Sequence, residues 1–238
     1  MYPIQAIKLF ERKNGLNPFK LKVPDVKLTT SEVQCILEQI PRWPYSQLLF
    51  YNIQYVKTSD APSDFFTRLQ DAVATLFSQP VGRRLLIKIA FAKHRVSVWY
   101  SADRSRTSAM EHCLASNRDV GTSSRILLSD KHMHVHNSKK EYIEMPFFIE
   151  FAHELIHAYH HIYGKERDTK TVDKELWSND AEFYTIAGGK TDVDEPSQYQ
   201  VKPKISENAI RKEHGLCARF GHHGLESRLV SILPATLQ

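Results

Sequence analysis

Phe147-Phe148-Ile149-Glu150-Phe151-Ala152-His153-Glu154-Leu155-Ile156-His157-Ala158-Tyr159-His160 places an H-E-x-x-H pattern inside an apolar run. On an α-helix His153 and His157 stand one turn apart on the same side, so two imidazoles can share one metal ion while Glu154 sits beside the open coordination position. Zinc held this way lowers the pKa of a bound water towards about 7, and Glu154 can take that proton and hand it to a leaving amine. Phe147, Phe148, Phe151, Leu155 and Ile156 supply an apolar surface that can anchor a buried helix, whereas His and Glu are costly to bury without partners. Pro146 suits the first helical position and Gly164 suits the end. The competing reading is a surface helix that happens to be rich in His.

A zinc site of this kind needs a third protein ligand. Where the motif ends on a distant His, that His falls six residues after the second one, and Tyr163 occupies the position here. A carboxylate on a following helix remains open. Asp180-Ala181-Glu182-Phe183-Tyr184-Thr185-Ile186 reads as a helix start with an apolar face, which makes Glu182 the candidate; Glu175, in the charged linker, is the alternative. A first-turn Glu182 is also what the helix dipole alone would favour. His160 reads as a residue supporting the ligands or as a structural one. His132, His134 and His136 alternate along a strand-like stretch and form a rival zinc site, but no carboxylate is arranged beside them, so a solvated or supporting role is the better reading.

The chain has 238 residues, 42% hydrophobic and 25% charged, which is the composition of an ordinary globular protein with one substantial core. No stretch approaches the ~20 consecutive apolar residues of a membrane span, and Met1 to Asn17 lack an apolar core followed by a small-residue cleavage site. These features argue against a membrane role and against the classical secretory route. The three cysteines, Cys35, Cys113 and Cys217, are far apart and read as reduced thiols in a cytosol. A formal charge of +5 could draw acidic partners, yet Lys and Arg are dispersed and no nucleic-acid-binding pattern is present.

Residues 1–29 show no sustained period and are expected to be a mobile leader, with residues 30–238 as the folded domain. Ser31 caps a short helix with Val33, Ile36, Leu37 and Ile40 on one face. Gln47 to Val56 reads as one strand. Ser63 is expected to cap a helix carrying Phe66, Leu69, Val73, Leu76 and Phe77 as far as Pro80. Val81-Gly82 then breaks the pattern before a buried segment from Leu85 to Phe91. Val96, Val98 and Tyr100 alternate as a strand, residues 101–124 read as a polar mobile or substrate-facing loop, and Arg125 to Ser129 is a short strand. Lys165 to Thr171 is solvated, a helix starts near Ser178 or Asp180, and residues 188–204 form a loop. Ser206 caps a last helix, Glu207 to His214, ended by Gly215. The tail Arg219-Phe220-Gly221-His222-His223 could bring a cation near the oxyanion or be only surface, which leaves the oxyanion stabiliser unassigned. The expected architecture is a zincin-like α+β domain with a small sheet beside the H-E-x-x-H helix and a following ligand helix.

Pro80-Val81-Gly82-Arg83-Arg84-Leu85-Leu86, His153 to His160, Glu182-Phe183-Tyr184-Thr185-Ile186, and Glu207-Asn208-Ala209-Ile210-Arg211-Lys212-Glu213-His214-Gly215 with Arg219 together resemble the NleD-like bacterial type III secreted effectors, the M91 zinc metallopeptidases. The resemblance covers roughly residues 75–220, and its most diagnostic part is the segment from Glu207 to Gly215. It implies one zinc ion on His153, His157 and Glu182, with Glu154 as catalytic base. It also implies delivery by a type III system into the host cytosol, and cleavage of host stress-activated MAP kinases of the JNK and related classes in the activation loop. The protein is expected to act as a monomer, without nucleic acid or membrane. Two other functions stand beside this one: a zinc peptidase toxin with another host target, and an interaction module that binds a host kinase without cutting it.

Overall fold

The computed structural model describes residues 27–33, 47–118, 120–131, 133–167, 180–188 and 204–221. Along them run β1 (Gln47–Phe50), β2 (Ile53–Val56), α1 (Phe65–Ser78), α2 (Pro80–Ala90), β3 (Val96–Ser101), β4 (Arg106–Ala109), α3 (His112–Ala115), β5 (Ser124–Ser129), β6 (Met133–His136), β7 (Tyr142–Met145), α4 (Phe147–Ile162), α5 (Asp180–Ala187) and α6 (Glu207–Glu213). One five-stranded sheet has the order β1-β2-β3-β5-β4, and β6 with β7 make a separate hairpin. β2, β3 and β5 are parallel, and β1 and β4 close the two edges in antiparallel fashion. This is the expected α+β arrangement, with the sheet beside the H-E-x-x-H helix α4.

The sheet has one helix-covered face because its strands alternate. Val96 and Val98 of β3 are buried while Ser97 and Trp99 are partly exposed, and the parallel register sets Val98 beside Ile126 and Tyr100 beside Leu128. These inward residues share one core with Phe65, Leu69 and Leu76 of α1, Leu85, Leu86 and Ile89 of α2, and Ile149, Phe151, Leu155 and Ile156 of α4. Each such side chain, fully buried, contributes about 1.5–3 kcal/mol. On the outer face the Arg125 guanidinium lies over the Trp99 ring, 5.4 Å from its centroid.

Four expectations need correction. Gln47 to Val56 is a hairpin rather than one strand: Tyr51 turns with φ of 42°, and the Asn52 side chain donates to the carbonyls of Ile89 and Ala92, at 3.3 and 2.7 Å, fastening the turn to the end of α2. Ser63 is not the cap of α1; Asp64 holds that place without a side-chain hydrogen bond, and the Phe65 amide donates to the Pro62 carbonyl. Val81-Gly82 does not break the pattern but opens α2, whose first residue is Pro80. Gly82 is there for contact, since a Cβ would run into the Leu76 carbonyl oxygen. The Val81 and Gly82 amides donate to the Glu213 carboxylate at 2.6 and 2.8 Å, so α6 supplies the anion at the N-terminus of α2. Residues 101–124 are not a loop throughout, because they hold β4 and α3. Their polarity is that of an edge strand whose alternate residues, Arg106 and Ser108, face solvent.

Residues 30–33 are helical and Val33 is buried, but Ser31 lies inside the helix and Thr29, not Ser31, caps it, accepting from the Glu32 amide at 3.3 Å; Ile36, Leu37 and Ile40 lie outside the described residues. So do Glu175, Ser178, residues 189–203 and His222. Leu28 packs on the core and its amide donates to the Ser78 carbonyl at 2.8 Å. Ser206 caps α6, accepting from the Ala209 amide at 3.2 Å. Cys113 and Cys217 are free thiols. Among the described residues no helix is long and apolar enough to cross a membrane.

Candidate metal centre

The Pro146 carbonyl accepts the amides of Ile149 and Glu150 to start α4, and Gly164, at φ +60°, ends it, so that the Lys165 amide reaches the His160 carbonyl at 2.8 Å. Between these ends His153 and Glu154 are each 6% exposed. That burial demands partners for both side chains, and the fold brings them from three directions.

The first direction is α5. Nε2 of His153 lies 3.2 Å from Nε2 of His157; Oε2 of Glu182 lies 3.2 Å from the first of these nitrogens and Oε1 lies 3.2 Å from the second. Ligands of a tetrahedral zinc at 2.0–2.1 Å are about 3.3 Å apart; the two imidazole nitrogens stand at about that spacing, and with one oxygen of Glu182 the three donor atoms lie within 4.8 Å of one another. The donor set, two imidazoles and one carboxylate, is one that zinc takes in catalytic sites. These three residues form the group, among those described, that could hold a metal ion. Thr185, three residues after Glu182 on the same face of α5, places its hydroxyl 3.4 Å from Nδ1 of His157.

The second direction is α6. Glu207, fully buried, sets Oε2 2.9 Å from Nδ1 of His153; the same carboxylate accepts from Nε of Arg211 at 2.7 Å and Nη1 of Arg219 at 3.0 Å. Asn208 holds the Arg219 backbone on both sides, at 2.9 and 2.7 Å. Arg219 is therefore a buried counter-ion of Glu207 rather than a surface residue, and His222 and His223 of the same tail lie outside the described residues. Burial raises the Glu207 pKa, but the guanidinium of Arg219, His153 and Arg211 outweigh it and hold the carboxyl well below its usual range. Burial likewise works against a charged His153, yet the carboxylates of Glu182 and Glu207 push its pKa up to about 10. Burial would raise Glu182 as well, and His157 and His153 together hold it far below the carboxylate range.

The third direction is the sheet edge. Thr107 of β4 places Oγ1 2.5 Å from Oε2 of Glu154, and Ser105 donates to Glu150 one helical turn earlier. Burial pushes the Glu150 carboxyl up to about 7, with the nearby Glu154 adding to the effect and the Ser105 hydrogen bond opposing it.

The other histidines lie elsewhere. His136 is buried in β6, with Nδ1 3.2 Å from the Asn137 carbonyl, and is not part of the metal group; the side chains of His132 and His134 lie outside the description. His160 lines a cavity with Arg84, Lys88, Arg118 and Lys165 at the end of α4, and burial together with neighbouring positive charge depresses its pKa to about 3. His161 bridges Ser124 Oγ at 2.9 Å and Glu166 at 3.0 Å. Sequence reasoning missed the roles of Glu207 and Thr107. The signal for Glu207 was an i,i+4 Glu–Arg pair beside Ala209 and Ile210, in a helix too apolar to be wholly solvated.

The family profile of the M91 peptidases, described as effector proteins, matches residues 53–221. The chain belongs to this family. A comparison with curated proteins gives no match. Among solved structures the chain is similar to the Clostridium botulinum neurotoxin serotype F light chain, at 15% identity over 51% of this chain and 48% of that one with a TM-score of 0.40. It is similar to the botulinum neurotoxin type D light chain at 15% identity, 68% and 58% coverage and TM-score 0.40, and to the type G light chain at 14%, 76% and 68%, and 0.40. The match thus spans about half the length of the serotype F light chain.

Proposed function

We propose that this effector is a zinc-dependent endopeptidase, delivered by a type III system into the host cytosol, that cuts stress-activated MAP kinases of the JNK and related classes in the activation loop. The stretch before Leu28, which itself packs on the core, serves as the leader and the remainder as the peptidase domain. The observation that carries the reading is the cluster of His153, His157 and Glu182, whose donor atoms lie within 4.8 Å of one another, with Glu154 on the same helix as the two histidines.

Zinc held by these three side chains supplies Lewis acidity towards a peptide carbonyl and makes a water acidic near neutral pH. Glu207 accepts from Nδ1 of His153, which fixes the tautomer and leaves Nε2 as the metal donor. Glu154 takes the proton from water and returns it to the amine that leaves. The choice of kinase rests on the resemblance to the NleD-like effectors, and an activation loop has the chemistry that the site needs, because a scissile peptide must be extended to enter. Incubating the zinc-loaded protein with a panel of host kinases and mapping fragments by mass spectrometry tests this. Fragments from another host protein would replace the kinase with a different target, and kinase binding without fragments would leave the interaction module.

A further inference from the structure

The contact between α4 and the edge of the sheet is polar where an apolar contact would be usual. Glu150, Glu154 and His161 fall on one side of α4, at i, i+4 and i+11. Each meets a hydroxyl from the sheet: Ser105 at Glu150, Thr107 at Glu154 and Ser124 at His161. Alternate residues of a strand are about 6.6 Å apart and one helical step of four residues rises about 6 Å, so Ser105 and Thr107 match Glu150 and Glu154 pair for pair. Two further bonds fix the strand side. The Ser129 amide donates to Ser105 Oγ at 2.9 Å, and Thr107 pairs with Ile126 in the ladder to β5. Thr107 Oγ1 also lies 3.1 Å from the Glu154 carbonyl, so its one proton faces two acceptors of the same residue, of which Oε2, at 2.5 Å, is the nearer.

We propose that Thr107 is the positioning residue of Glu154: its hydroxyl donates to Oε2 and holds the carboxylate in one orientation, leaving the other oxygen for the proton taken from water. The proposal rests on the reading of Glu154 as the base. A hydrogen bond to a charged group is the strong kind, worth about 1.5–3 kcal/mol, and it is made here by a strand that the sheet holds rigid rather than by a loop.

Thr107→Val keeps the shape and removes the hydroxyl; Thr107→Ser keeps the hydroxyl. In urea unfolding of the metal-free protein, Thr107→Val should lower the folding equilibrium constant about 10- to 100-fold in the wild-type background and far less in a Glu154→Ala background. With a quenched peptide carrying a stress-activated kinase activation loop, Thr107→Val should lower kcat about 10- to 100-fold with KM and bound zinc unchanged, and Thr107→Ser should restore most of it. An equal unfolding loss in both backgrounds, an unchanged kcat, or a Ser variant as poor as Val would each overturn the proposal. Wild-type protein that cuts no kinase, as peptide or whole protein, would remove the base assignment and the positioning role with it. The unfolding cycle would then still report whether the contact exists, which separates the two failures.

Discussion

Oε2 of Glu207 lies 2.9 Å from Nδ1 of His153 and 3.0 Å from Nη1 of Arg219, so one fully buried oxygen serves the proposed metal ligand and a structural cation together. Glu207→Gln should therefore fail in two ways. Arg211 and Arg219 lose their shared counter-ion in a buried place, which costs about 3–5 kcal/mol when one partner of such a pair is removed. His153 loses the acceptor that sets its tautomer, which weakens metal affinity about 10- to 100-fold. Urea unfolding of the metal-free protein and a zinc titration with a competing chelator read the two effects separately. An unchanged unfolding midpoint would mean that the arginines find other acceptors.

Holding metal and moving protons should separate by residue. Glu154→Ala is expected to retain zinc through dialysis against a mild chelator while losing about 10²–10⁴-fold in peptide hydrolysis. His157→Ala and Glu182→Gln should lose the zinc itself, because each removes a corner of the ligand triangle. Glu175→Ala should retain it. Metal content that followed Glu175 rather than Glu182 would move the third ligand into the linker.

What the sequence disclosed and what it hid follow from the range of each signal. α4 and the Ser206 cap are local patterns, complete within a few residues, and they lie where the pattern puts them. β3 and β5 were readable because each alternates against a helix-covered face. β4 was hidden because its inward residue Thr107, like Ser105 just before the strand, meets a carboxylate on α4, so no apolar alternation marks the strand. Gly82 looked like a breaker, but its reason is a carbonyl on the preceding helix. Glu207 finds His153 across 54 residues, and only the folded chain shows that a carboxylate in the first turn of α6 has no contact with water.

Burial of Glu150 should appear as a pH dependence of stability. Its pKa rises from 4.5 in the unfolded chain to about 7 in the folded one, so the folded state binds the proton more tightly. The stability this contributes is fully present below about pH 4.5 and is lost as pH rises through 7, a change of about 3 kcal/mol. Glu150→Gln keeps an acceptor for Ser105 and cannot ionise. Its urea midpoint in the metal-free protein should stay flatter between pH 5 and 8 than that of wild type, and it should be the more stable of the two at pH 8. Equal slopes would place the titration on another group.

The arginines of residues 101–124 divide into two sets that should differ in effect. Arg104 and Arg106 are exposed at the sheet edge, where Arg106 points away from α4 because Thr107 points towards it. Arg118 lies beyond α3, on the wall of the cavity with Arg84, Lys88 and Lys165. If the edge beside the metal centre draws an acidic kinase surface, its attraction acts on encounter and is screened over about 10 Å at 0.1 M salt. Neutralising Arg104 and Arg106 to Gln should then lower kcat/KM on an intact stress-activated kinase several-fold at low ionic strength and leave kcat unchanged. The gap to wild type should close as salt rises towards 0.5 M. Arg118→Gln, on a separate surface, should follow the wild-type salt curve. A loss that persists at high salt would assign Arg104 and Arg106 a direct contact instead of steering, and an Arg118 effect as large as theirs would extend the docking surface around the end of α4.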